Sequence, residues 1–410
     1  MPEPLIEHVY IRNQGSGQSD REAAMIDAEA GFDQEIDRRG TFASKWEKYR
    51  GTDILPFWVA DMDFAAPPFI LRAVEARLRH GILGYTETPD DLVTAFQNWL
   101  QRRHGWTVPA QWLVWLPGVV PGLNLAAKAV AATGGSILIP TPVYHPFLRV
   151  PAHADQASIK VQLARSLTRW EMDFDALGEA CGRDTRLFLL SNPQNPTGRA
   201  YTLSELTALA DFCLEHDLYL CSDEIHCDLV LDENTSHIPI ASLSPEIAQR
   251  TISLYAANKT YNIPGLGCAV AVIPNAKLRA NFLGARAGLV HGIGPLAFAA
   301  SAAAFADTSQ WLPELLEYLR GNRQRLQQLV GKRMTPVEAT YLAWIDLRDL
   351  SIDNPGAYLE SYGLGLSDGL IFGGPGYVRF NFACPRALME RGLQRFEHAL
   401  NAGHEEGRGD

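Results

Sequence analysis

"RLFLLSNPQNPTGRAYTLSELTALADFCLEHDLYLCSDEIH", residues 186–226, holds two short apolar runs with a helical pattern between them. "RLFLLS" (186–191) and "LYLCSDE" (218–224) have the length and composition of strands buried on both faces. Between them, Thr202 and Glu205 of "TLSE" stand at capping-box spacing, so a helix is expected to start there. Strand, helix, strand is the repeating unit of a mostly parallel sheet covered by helices. Working outward, "GSILIP" (135–140) reads as another buried strand, while "FILRAVEARLRHGI" (69–82) and "DDLVTAFQNWLQRRHG" (90–105) have helical apolar spacing. The alternation continues to about Pro295. Beyond it come an alanine-rich helix, "LAFAASAAAFA" (296–306), and a charged amphipathic one, "LPELLEYLRGNRQRLQQLVGKR" (312–333). Strand candidates then appear in "ATYLAWIDLRDL" (339–350) and "GYVRFNFA" (376–383).

This texture predicts a flexible arm over residues 1–31 and a large α/β domain over 67–295. A smaller α+β domain is expected from 32–66 together with 296–400, and a solvated tail over 401–410. The balance of 47 acidic against 36 basic residues, a net charge of −11, argues against nucleic acid or an anionic membrane as the main partner. No apolar run reaches the length of a membrane span, and the N-terminus lacks the pattern of a signal peptide. Six cysteines lie scattered without a C-x-x-C pair, which suits buried thiols in a reducing cytoplasm. A zinc site from His216, Cys221, His226 and Cys227 lacks the usual paired spacing, and no metal is expected.

Three strand-like runs end in polar groups of complementary type. "LFLLSNPQNPTG" delivers Asn195, "LYLCSDEIH" delivers Asp223, and "ISLYAANK" (252–259) delivers Lys259 just before Pro264 and Gly265 stop any continuation of the strand. Taken singly, each has a plain structural reading: a turn residue, a helix cap, a surface charge. Together, at the strand ends where open α/β sheets bind ligands, they are what pyridoxal 5′-phosphate requires. The lysine forms a Schiff base with the aldehyde, the aspartate keeps the ring nitrogen protonated, and the amide addresses the phenolate oxygen. "LPGVVPGLNLAAKAV" (116–130) adds a Gly-Pro turn before a helix, offering the amides of Val119 and Val120 to the phosphate.

These residues resemble pyridoxal-phosphate enzymes of fold type I, the aspartate aminotransferase superfamily, and most nearly its cystathionine β-lyase-type carbon–sulfur lyases. The likeness rests on "LPFWVADMDFAAPP", "HGILGYTE", "SDEIHCDL", "KTYNIPGL", "TYLAWIDLR" and "VRFNFACPR", which span nearly the whole chain from about Asp33. It implies a large domain with a mostly parallel seven-stranded sheet sandwiched by helices, plus a smaller α+β domain. It also implies that Tyr144 stacks on the cofactor ring and that His226 stands near the phenolate oxygen, where many aminotransferases have a tyrosine. The resemblance further implies that Arg379 grips the substrate carboxylate, with Ala60 and Asn195 beside it. By the same resemblance Tyr85 is expected to reach the phosphate of a neighbouring subunit and to join Lys259 and Asp223 among the catalytic groups, which implies a homodimer with composite active sites. Two positions depart from many aminotransferases: Ala256 replaces a serine, and Gly267 replaces an arginine on the phosphate. The implied reaction is β-elimination from L-cystathionine or a related cysteine S-conjugate. The same residues serve transamination equally, and a non-catalytic regulator on this fold is a third reading.

Overall fold

The computed structural model of the chain describes residues 31–406 apart from 132–133 and 167–168. Residues 1–30 of the expected arm therefore lie outside the described residues. The central sheet has seven strands: β1 (Leu113–Leu116), β2 (Ser136–Thr141), β3 (Ala157–Gln162), β4 (Thr185–Ser191), β5 (Tyr219–Asp223), β6 (Thr251–Tyr255) and β7 (Ala269–Val272). Their order is β1-β7-β6-β5-β4-β2-β3, with β7 antiparallel to both neighbours and every other pair parallel. Side chains alternate between two apolar layers, as the period of two dictates. Ile137, Ile139, Leu187 and Leu189 enter one core, while Leu138, Phe188 and Leu190 enter the core on the other face.

Helices close both faces. The first two are α1 (Pro68–Arg79) and α2 (Asp90–His104), the latter ended by Gly105 in the left-handed region at φ 68°. Next, α3 (Val119–Val130) lies close on the sheet because Gly122 leaves room: a Cβ there would come within 2.8 Å of Leu254 Cδ2. The helix α4 (Leu203–Glu215) starts with the capping box of Thr202 and Glu205 in both directions. Then α5 (Ala276–Arg286) packs beside α3, with Phe282 in their shared core.

The alanine-rich helix α6 (Pro295–Phe305) corrects the domain boundary read from sequence. Ala297, Phe298, Ala300, Ala304 and Phe305 pack with Ile70 of α1 and with Phe96 and Trp99 of α2, so α6 belongs with the large sheet. A helix apolar all round is buried wherever neighbours offer a surface, and its composition does not say which. The smaller unit begins with α7 (Trp311–Val330) and holds an antiparallel sheet of β8 (Leu342–Asp346), β9 (Ser367–Asp368) and β10 (Tyr377–Asn381), with β10 central. Its last helix, α8 (Arg386–Glu406), runs through most of the stretch that sequence suggested as a tail; residues 407–410 lie outside the described ones.

The segment before α1 is woven into this smaller unit. Phe57 stacks on Phe380 at 4.6 Å, and Met62 and Phe64 share its core. Polar groups then pin the segment. Lys45, with no exposed surface, donates to Asp63 Oδ2 at 2.6 Å, and Arg38 reaches Asp63 Oδ1 at 2.8 Å and Asp61 Oδ2 at 2.6 Å. Burial alone would raise the Asp63 carboxyl, but the Lys45 ammonium and the Arg38 guanidinium hold it below its ordinary 3.8. Asp63→Asn would take from the buried Lys45 ammonium its nearest carboxylate and leave it only Asp61, 3.7 Å away, at a cost of up to about 3–5 kcal/mol. We expect a lower denaturant midpoint for Asp63→Asn at neutral pH. The wild-type advantage should fade as pH falls below about 4, because a depressed acid contributes stability above its unfolded value and loses it on protonation.

Candidate active site

Three adjacent parallel strands end at the same edge: Asp223 of β5 pairs in register with Ser191 of β4 and Leu254 of β6. The loops beyond these ends bring Asn195, Asp223 and Lys259 together with Arg379, which reaches in from the middle of β10 opposite Trp344. Arg379 is buried, and both terminal nitrogens of its fork are directed. Its Nη1 donates to Asn195 Oδ1 at 2.9 Å and its Nη2 to the Trp58 carbonyl at 2.7 Å, with the guanidinium 4.7 Å from the centre of the Phe372 ring. Burial lowers it to about 10, so it stays cationic at neutral pH.

Lys259 donates from Nζ to the Ala60 carbonyl at 2.6 Å. Burial pushes its amine down to about 8, with Asp61 and Asp223 opposing and Arg379 assisting. Asp223 takes the Ile225 amide at 3.1 Å, and burial raises its carboxyl to about 7 despite that bond and the nearby lysine. His226 is buried beside Tyr341, the ring centres 5.9 Å apart, and burial together with Lys259 and Arg379 holds the imidazole neutral. The Tyr144 hydroxyl, raised by burial, feels both Arg379 and Asp223.

Val119 and Val120 form the first turn of α3, where no side chain among the described residues caps the amides. Such a helix start is suited to an anion. Gly267 explains one departure from the aminotransferase pattern: a Cβ there would stand 2.5 Å from the Pro117 carbonyl oxygen, just before this turn. The backbone crosses where a longer side chain would begin. Ala256, the other departure, is buried in the sheet core.

Two of the expected site residues, Tyr85 and Ala60, do not bring their side chains to the other groups. Tyr85 is fully exposed and lines an open hollow with Arg279, Arg286 and His291, so this chain does not bring it to the other site residues. Ala60 enters the site through its carbonyl, which faces Lys259 and also takes the Tyr341 hydroxyl at 3.1 Å. Sequence reasoning passed over Tyr341, although it stands in "TYLAWIDLR". It also missed the support behind the strand ends. Glu224 Oε2 accepts from the Tyr255 hydroxyl at 2.6 Å and lies 2.7 Å from His237 Nε2; Asp228 Oδ2 accepts from Thr260, the residue after Lys259, at 3.3 Å. A buried carboxylate directly after Asp223 was the available signal.

Pyridoxal phosphate fits this donor set. His226 Nδ1, Asn258 Oδ1 and Arg379 Nε are buried without a hydrogen-bond partner among the described residues, and buried polar atoms normally have one. A carboxyl raised by burial gains from facing a protonated ring nitrogen, a depressed amine suits an aldehyde, and a bare helix start suits a phosphate.

The family model of class I and II aminotransferases matches residues 52–396. The chain belongs to that family. Its architecture is the pyridoxal-phosphate fold of type I, with cystathionine β-lyase-like relatives, and its cofactor is pyridoxal 5′-phosphate. It is 34% identical to cystathionine β-lyase PatB of Bacillus subtilis, over 90% of this chain and 100% of that one. Among solved structures it resembles OvoB, at 43% identity and a TM-score of 0.88 over 90% of this chain and 98% of the other. It also resembles the cofactor-bound C–S lyase of Staphylococcus hominis, at 32% identity and a TM-score of 0.84 over 90% and 97%. Among the described residues no helix is long and apolar enough to cross a membrane.

Gly267→Ala tests the anion cradle. Forcing a methyl against the Pro117 carbonyl costs about 1–3 kcal/mol of overpacking, which the segment relieves by moving. Cofactor affinity, measured by equilibrium dialysis, should fall about tenfold or more while the helical content of the protein is unchanged.

Proposed function

We propose that this chain is a pyridoxal-phosphate-dependent carbon–sulfur β-lyase that cleaves L-cystathionine or a related cysteine S-conjugate to a thiol, pyruvate and ammonia. One observation carries the reading: a depressed lysine amine and a buried arginine fork held by carbonyls two residues apart, those of Ala60 and Trp58. The first is what proton transfer at an amino acid's Cα needs, and the second is what its carboxylate needs. Relatives named as cystathionine β-lyases and C–S lyases favour β-elimination over transamination.

In this reading Lys259 carries the cofactor's aldehyde, Asp223 faces the ring nitrogen, and Asn195 and His226 lie toward the phenolate oxygen. Tyr144 covers the ring, and the Val119 and Val120 amides take the phosphate. Bound there, the cofactor supplies an electron sink for the charge left at the substrate Cα. Arg379 fixes the substrate carboxylate while Lys259 takes the Cα proton. The sulfur departs from Cβ with the bonding pair as a thiolate, and the remaining three-carbon enamine takes up water to give pyruvate and ammonia. Tyr85, exposed along with Ile82 and Leu83, is read as serving the phosphate of a second copy across a homodimer.

The decisive assay gives L-cystathionine to the cofactor-loaded protein without any keto acid. Equal yields of pyruvate and free thiol are expected; turnover that appears only after a keto acid is added would make the chain an aminotransferase. The neutral amine is the base, and burial brings Lys259 to about 8, so kcat should climb as pH rises through that value. Lys259→Ala should abolish turnover and keep the fold. Arg379→Ala removes a charge-assisted clamp of about 1.5–3 kcal/mol, lowering kcat/KM about 10- to 100-fold, chiefly through KM. An unchanged kcat/KM would remove Arg379 from the site.

A further inference from the structure

The irregular segment from Trp58 to Phe64 is held through its carbonyls. Asn381 donates to those of Val59 and Asp61, and Asn262, three residues after Lys259, donates to those of Met62 and Phe64. The Ala60 carbonyl, between these ties, receives two donors at once: Lys259 Nζ at 2.6 Å and the Tyr341 hydroxyl at 3.1 Å. A carbonyl oxygen has two lone pairs, and here each has a partner. Tyr341 is wholly buried, its ring against His226.

We propose that Tyr341 is a positioning residue for Lys259: by occupying one lone pair of the Ala60 carbonyl, it fixes the acceptor on which the free lysine amine docks. This rests on reading Lys259 as the group that carries the cofactor and moves the Cα proton. In that chemistry the amine is released whenever the substrate's own amine takes the aldehyde. A lysine at the end of a flexible four-carbon stem then has several rotamers open to it, and only those near the reacting carbon are productive. A fixed acceptor selects among them. The carbonyl cannot be held by its own strand ladder, because residues 57–64 form none. Tyr341 supplies the direct hold, from the residue just before β8. The same segment offers the Trp58 carbonyl to Arg379, so it also sets the spacing between the amine and the carboxylate clamp.

A plain core tyrosine would also find a partner for its hydroxyl. Tyr341→Phe separates the two roles, since it keeps the ring and removes only the donor. The full-length chain, stripped of cofactor, is mixed with pyridoxal 5′-phosphate, and the Schiff-base absorbance is followed by stopped flow. Pyridoxine 5′-phosphate, which has an alcohol in place of the aldehyde, is titrated in parallel to report the binding site without the lysine. We expect capture to slow about tenfold or more in Tyr341→Phe, as a misplaced reacting group does, with pyridoxine phosphate affinity within about twofold of wild type. Capture at the wild-type rate would overturn the proposal. Absence of the absorbance band in the wild-type protein would instead overturn the reading of Lys259. Should Tyr341→Phe not fold, Lys259→Ala provides the second test, with methylamine replacing the lost amine. Rescue of solvent exchange at the L-alanine Cα should saturate with methylamine if an acceptor docks it; strictly proportional rescue would overturn the docking role.

Discussion

Burial of charge at the edge of the central sheet is the constraint around which the rest is arranged. Asp223 ends a strand buried on both faces, and desolvation drives its carboxyl up to about 7; the same loss of water drives Lys259 down to about 8 and Arg379 to about 10. All three sit closer to neutrality than they would in water; the acid and the guanidinium gain by meeting an opposite charge, and the amine, more often unprotonated, is readier to condense with a carbonyl. A protonated ring nitrogen, an aldehyde and a carboxylate answer these needs one for one. The three groups do not neutralise one another, because Arg379 is committed to Asn195 and the Trp58 carbonyl, and Lys259 to the Ala60 carbonyl.

That arrangement depends on joining two cores. The strand ends belong to the large sheet, while Arg379 and Tyr341 belong to the smaller unit, and the segment from Trp58 to Phe64 lies between them. Its apolar residues pack with the smaller unit, whereas Asn262, from the lysine loop, holds its backbone from the other side. The buried Lys45–Asp63 pair and the partly buried pairs of Arg38 with Asp61 and Asp63 fix the same few residues. Such pairs add little net stability over apolar packing, but they tolerate only one geometry. They serve the placement of a backbone that has no ladder of its own.

The sheet and the three strand-end residues were legible in the sequence because both arise from local patterns. Buried parallel strands read as continuous apolar runs, and the loops beyond their carboxyl ends reach the ligand edge whatever the distant chain does. Arg379 lies in the middle of a strand in another unit, and only its likeness to a known pattern marked it. The Ala60 carbonyl and Tyr341 left no such mark: their contact spans 281 residues, and a backbone acceptor has no side-chain signature. The boundary at α6 went astray for a related reason. Its alanines fit many surfaces, and the choice was made by Phe96 and Trp99 of α2, far earlier in the chain. Tyr85 meets none of the other site residues within one chain, so in our reading it serves the site of a second copy.

Gly267 shows how a departure from a family pattern can be structural before it is chemical. Where the backbone passes against the Pro117 carbonyl oxygen, a Cβ would stand 2.5 Å from it, so no side chain of any charge can begin there without moving the turn. The anion cradle at the start of α3 then relies on amides whose positions are set by close backbone packing, with Gly118 extended at φ 173° and no side-chain cap competing among the described residues. An arginine contributes attraction that reaches beyond contact; backbone amides contribute directed hydrogen bonds that work only at contact. In our reading the phosphate is therefore held by shape more than by charge. The accuracy of that shape is inherited from the crossing of residues 117 and 267, which is also the approach to the lysine loop.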